Sequence, residues 1–211
     1  MTSHQDSTFL FTEPRQTCLG LWLALDDSTI DNGTLWVRPK SHVESVRRQY
    51  KRNVAHFGAA AIDARCNEAD VGVDRDGEGD TSSDQQQPTK LVMEELYGDH
   101  GVTWDGGLPG QDETDGDANQ NEDDVVDALL DAGFVPVECK AGDLLAFCGE
   151  LDHLSLPNRS DKPRHTFQLH LVEGDSGGEG GVVWSKYNWL QYSDGKPFPR
   201  MADGCGTTTK G

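Results

Sequence analysis

The sequence predicts a mainly β protein, and three observations carry that prediction. Residues 164–172 (RHTFQLHLV) alternate: Phe167, Leu169 and Leu171 share one face, while Arg164, Thr166, Gln168 and His170 share the other. The remaining apolar runs are short and bounded by Gly, Pro and Asn turns, as at Asp31-Asn32-Gly33, Pro39 and Ala141-Gly142. There is no βαβ rhythm, no GxGxxG and no P-loop. Short strands joined by such turns point to a jelly roll of cupin type.

Taken in order, the elements begin with His4-Gln5-Asp6 and the alternating run at residues 7–11. On a strand, His4 and Asp6 lie two apart and face the same side. An imidazole and a carboxylate so placed are two ligands of a facial 2-His-1-carboxylate set, or simply polar residues near a frayed terminus. Residues 18–25 (CLGLWLAL) are apolar on both faces, which predicts a central strand covered on both sides. The Asp31-Asn32-Gly33 turn leads into a strand at residues 35–37, which Pro39 halts. Residues 43–54 (VESVRRQYKRNV) are expected as a short basic helix.

Charge divides the chain. Of 37 acids and 18 bases in total, residues 63–131 hold 21 acids and 3 bases, so that segment carries −18 of the net −19. Rich in Gly, Asp, Ser and Gln, it cannot bury enough apolar surface to offset ordering entropy, and a disordered, solvated insert is expected. Its apolar pieces at 91–97 and 125–130 have the length of a turn or two of helix. Asp115, Asp117, Asn119, Asn121 and Glu122 imitate a calcium loop, but the glycine and the final glutamate fall at the wrong places. The expected organisation is a first core part at 1–62, the acidic insert at 63–131 and a second core part at 132–211. Strands are expected there at 134–137 and 143–148, ahead of 164–172.

Several classes are excluded. Nucleic-acid binding needs clustered Lys and Arg on one face, and no apolar run approaches the 18 residues of a membrane span. Five cysteines without CxxC spacing, and no signal peptide, read as reduced thiols in a cytoplasmic setting. The acidic insert is a candidate surface for a protein partner.

A facial triad also needs a second histidine far along the chain. His153 follows the strand at 143–148, and eleven residues on Arg164 opens the polar strand face. A guanidinium there suits the distal carboxylate of an oxoacid. His4-Gln5-Asp6, Thr12-Glu13-Pro14, Trp22, Asn32-Gly33, Leu35-Trp36, Pro39, Ser41-His42, Gly142-Asp143, His153, Ser155, Arg164 and Asn188-Trp189-Leu190, in this order, resemble the phytanoyl-CoA dioxygenase family. The resemblance covers residues 3–57 and 134–200. It implies a double-stranded β-helix, Fe(II) held by His4, Asp6 and His153, and 2-oxoglutarate as cosubstrate. Arg164 and Ser155 would bind the cosubstrate's carboxylate, and Trp22 would line its pocket. His42 is expected to be a structural turn residue. The family carries helices and strands ahead of His4, so the β-helix is expected to be incomplete at its N-terminus. Asp6, where halogenating relatives have a small residue, implies hydroxylation of a small organic or acyl substrate with dioxygen. Two other readings stand beside this one: a catalytically inactive truncated dioxygenase-like fragment, and a cupin-like protein binding another divalent metal.

Overall fold

The computed structural model describes residues 3–59, 62, 88–96, 122–174, 181–192 and 198–201. Among these the architecture is mainly β, with ten short strands and few helical segments. Most of the acidic insert lies outside the described residues.

Two three-stranded antiparallel sheets form the body. The first has the order β7-β2-β9, built from Leu144–Cys148 (β7), Leu19–Ala24 (β2) and Thr166–Leu171 (β9). The second has the order β6-β3-β8, from Val135–Val137 (β6), Leu35–Val37 (β3) and His153–Ser155 (β8). Two ribbons complete the set: Thr12–Glu13 (β1) with Val183–Trp184 (β10), and Arg48–Arg52 (β4) with Leu91–Glu95 (β5).

Between the sheets Trp22 and Ala24 pack with Cys139, against Val137, Leu145 and Phe147. A second cluster joins Trp36, Phe134 and Leu154 to Leu129 of the helix Glu122–Asp131 (α2). The buried indoles and the phenylalanine carry large apolar area into a small core, and area removed from water is the main favourable term.

Four expectations need correction. β2 is central, but only alternate residues are buried: Gly20, Trp22 and Ala24 face inward while Leu19 is exposed. Residues 43–54 are not a helix, because residues 48–52 pair with residues 91–95 and only the single turn Val54–Phe57 (α1) is helical. The same pairing makes residues 91–95 a strand and not a helical turn. Arg48–Glu95 and Lys51–Glu94 ion pairs on this ribbon show why the basic run and the acidic one meet. Finally, Asp6 sits on no strand. It opens a 3-10 turn, Asp6–Thr8, immediately after a bridge residue at His4. In accord with expectation, 125–130 is helical, and His42 is an exposed residue of the 3-10 turn Ser41–Val43.

Candidate functional site

His4 and His153 are joined backbone to backbone. Each donates its N–H to the other's carbonyl, at 3.1 and 3.0 Å, and this bridge brings the start of the chain beside β8. The turn that follows swings the Asp6 side chain back towards the two imidazoles. One ligand atom from each of His4, Asp6 and His153 then lies within 4.8 Å of the others. The Nε2 atoms of His4 and His153 stand 3.7 and 3.6 Å from Asp6 Oδ1, beyond hydrogen-bond range. His153 Nδ1 donates to the Leu151 carbonyl at 2.9 Å, which leaves the Nε2 lone pair facing the site. Burial lowers the His153 pKa and so favours the neutral, ligating imidazole. Burial raises the Asp6 pKa, but the hydrogen bond from His170 and the neighbouring imidazoles outweigh it, and the carboxyl lies below its ordinary range. Two imidazoles and a carboxylate converging on one face can hold a divalent metal ion.

The backbone around these residues is pinned by buried charge. Asp152, fully buried, accepts two hydrogen bonds from Arg47 at 2.7 Å and two from Arg38 at 3.1 and 3.3 Å. It also accepts one from Ser3 Oγ at 2.7 Å. Ser3 precedes His4 and Asp152 precedes His153, so this cluster ties together the segments that carry the two histidines. Sequence reasoning did not single out Asp152.

Arg164 lines the same cavity as His4, Asp6 and His153. β2 and β9 are in register with Trp22 opposite Gln168, Gly20 opposite His170 and Ala24 opposite Thr166. Opposed residues share a face, so the polar side of β9 is the side on which buried Trp22 stands. The apolar side is left open, with Phe167 57% and Leu169 42% exposed. The Arg164 guanidinium lies 6.0 Å from the Trp22 ring centroid, and its Nε donates to the Asn32 carbonyl at 3.2 Å. The Asn32-Gly33 turn is itself tightly set. The Asn32 side chain bonds Thr29 N and the Asp27 carbonyl, and a Cβ at Gly33, whose φ is +82°, would lie 2.5 Å from the Leu156 carbonyl oxygen. Among the described residues no carboxylate is paired with Arg164, and the buried indole N–H of Trp22 has no hydrogen-bond partner. Ser155 stands two residues after His153 on β8, on the same strand face. An open cavity of about 1840 Å³ is lined by His4, Asp6, His153, Ser155, Trp22 and Arg164.

His170 also reaches the cavity. Its Nε2 lies 3.1 Å from Asp6 Oδ2, and this hydrogen bond raises the His170 pKa. The sequence carried one signal for it: His170 has the same strand parity as Arg164.

The phytanoyl-CoA dioxygenase (PhyH) family model matches residues 1–166. A phytanoyl-CoA dioxygenase of Arabidopsis thaliana is 32% identical over 188 residues, covering 89% of this chain and 42% of the relative. The phytanoyl-CoA dioxygenase domain-containing protein 1 of Rattus norvegicus is 30% identical over 201 residues, covering 95% and 47%. The chain therefore spans about half the length of these relatives. Among solved structures, the non-heme monooxygenase ThoJ superposes with TM-score 0.42 at 17% identity, covering 87% of this chain and 42% of that one. The non-heme alpha-ketoglutarate-dependent carbocyclase SnoK gives 0.42 at 16% identity, covering 88% and 45%.

Proposed function

Because the chain belongs to the phytanoyl-CoA dioxygenase family, we propose that it serves as an Fe(II)- and 2-oxoglutarate-dependent dioxygenase hydroxylating a small organic or acyl substrate. The observation that carries this reading is the convergence of His4, Asp6 and His153 on one face of a cavity that also holds Arg164. The donor set fits iron: two imidazoles and one carboxylate leave further positions open for other ligands. When bound, iron and 2-oxoglutarate supply oxidative decarboxylation coupled to insertion of oxygen into a C–H bond.

The protein's own residues would do the rest. Arg164 is the cation for the distal carboxylate of the cosubstrate, because it is half-buried beside Trp22 and has no acidic partner among the described residues. Burial lowers its pKa, a cost that an anionic ligand would offset. Ser155 would add a hydroxyl to the same carboxylate. Trp22 would close the floor of its pocket and offer an unpaired indole donor. Asp6, not a small residue, supports hydroxylation over halogenation.

The core is read as a double-stranded β-helix made by residues 1–62 and 132–211, with 63–131 inserted between them; from that insert Leu129 packs into the core and residues 91–95 pair with β4. The free thiols of Cys18, Cys139 and Cys148 suit a cytoplasmic setting.

The test is succinate formation from 2-oxoglutarate by the purified protein with Fe(II) in air, against Asp6→Ala. Turnover in the parent that Asp6→Ala abolishes is expected. Equal succinate from both proteins would overturn the proposal.

A further inference from the structure

We propose that His170 is a positioning residue for Asp6: by donating its Nε2–H to Oδ2, it dedicates Oδ1 to the face shared by His4 and His153. The inference rests on the metal reading of this site and deepens it.

Asp6 divides its two oxygens. Oδ1 is the atom that both histidine Nε2 atoms face, at 3.7 and 3.6 Å. Oδ2 lies on the other side, 3.1 Å from His170 Nε2. An ionised carboxylate only accepts, so the His170 nitrogen must be the donor. Left alone, a carboxylate on a short turn can rotate and present either oxygen, or both, to a cation. A hydrogen bond that occupies one oxygen removes that freedom, and outer partners of this kind orient and tune metal ligands.

The sheet is built to allow the bond. His170 on β9 is the register partner of Gly20 on β2. A Cβ at Gly20 would lie 3.1 Å from Asp6 Oδ2 and 3.0 Å from Phe147 Cε2. The bare backbone at Gly20 therefore makes the seat over which Asp6 Oδ2 rests, and His170 reaches in from the adjacent strand. The seat, the donor and the carboxylate come from residues 20, 170 and 6, which no local sequence pattern joins. The His170 side chain is about one-third exposed, so a substitution there disturbs little of the core.

The test uses Co(II) alone as the probe, titrated into the protein and followed by its visible absorption. Two variants of His170 are compared with the parent, and Asp6→Ala defines the site. His170→Gln keeps an amide donor of similar reach, whereas His170→Leu removes the donor. The expected results are parent-like affinity for His170→Gln and an affinity about 10- to 100-fold weaker for His170→Leu. The His170→Leu band should also be weaker per cobalt, because the freed Oδ2 can join Oδ1 on the metal and raise its coordination number. If His170→Leu matches the parent in affinity and band, the role of His170 is overturned. Equal weakening by Gln and Leu overturns it too, since the donor would then be irrelevant. A parent chain whose cobalt binding survives Asp6→Ala overturns instead the metal reading of His4, Asp6 and His153.

Discussion

Removing the Asp152 carboxylate tests how the two halves of the site are held together. Asp152 is fully buried and receives Arg47 twice, Arg38 twice and Ser3 once. Asp152→Ala deletes the anion while both arginines remain 7% exposed. Arg38 keeps Glu44, at 2.7 and 2.6 Å, whereas Arg47 loses both of its hydrogen bonds to the Asp152 carboxylate. Breaking a buried pair from one side costs about 3–5 kcal/mol, because the remaining charge stays desolvated. For a chain of this size that is a fall in Tm of roughly 6–20 °C. Differential scanning calorimetry or a far-ultraviolet circular dichroism melt reads it directly. Asp152→Asn keeps an acceptor oxygen without the charge and should fall between Ala and the parent. Glu95→Gln, which breaks the exposed Arg48–Glu95 pair, is the internal comparison and should change stability by no more than about 1 kcal/mol. The reasoning is refuted if Asp152→Ala melts no lower than Glu95→Gln.

Arg164→Ala should abolish 2-oxoglutarate turnover while Co(II) affinity stays at the parent level. Undiminished succinate formation by that variant would remove Arg164 from the cosubstrate site. Gly20→Ala places a methyl about where Asp6 Oδ2 and Phe147 already stand, an overpacking expected to cost about 1–3 kcal/mol. A melt and a cobalt titration should both move, and a parent-like variant in both would count against the seat. Burial pushes the Cys18 thiol up to about 12 from an ordinary 9.0, so iodoacetamide at pH 8 should spare it in the native protein and label it in urea. Rapid native labelling at Cys18, mapped by mass spectrometry, would contradict that burial. The same raised value has a stability consequence: the folded thiol holds a proton that the unfolded chain releases. Its contribution is therefore complete below about pH 9 and declines as pH rises towards 12.

Side-chain parity was legible from the sequence because it is a property of the local backbone. The period-2 pattern at 164–172 put Arg164, Thr166, Gln168 and His170 on one side; the register of β9 on β2 keeps Thr166, Gln168 and His170 there, whereas the strand begins only at Thr166 and Arg164 lies just ahead of it. The Asn32-Gly33 turn was legible for the same reason: few residues other than glycine accept a φ of +82°. The types of the residues that could ligate a metal were also visible, as was the uneven charge. What the strand pattern could not determine was pairing. Residues 48–52 carry no strong period, and they become a strand only because residues 91–95 supply hydrogen bonds and opposite charges from about forty positions away. The route by which His4 and Asp6 meet was misread for a related cause. Local alternation suggested one strand face, whereas the backbone bridge to His153 and the turn at Asp6–Thr8 bring the groups together. Asp152 and His170 were invisible as partners of Arg47 and Asp6 because their meaning lies in burial and contact, not in spacing. Local conformational preference is written residue by residue; which buried polar atoms satisfy one another is settled only when distant segments exclude water together.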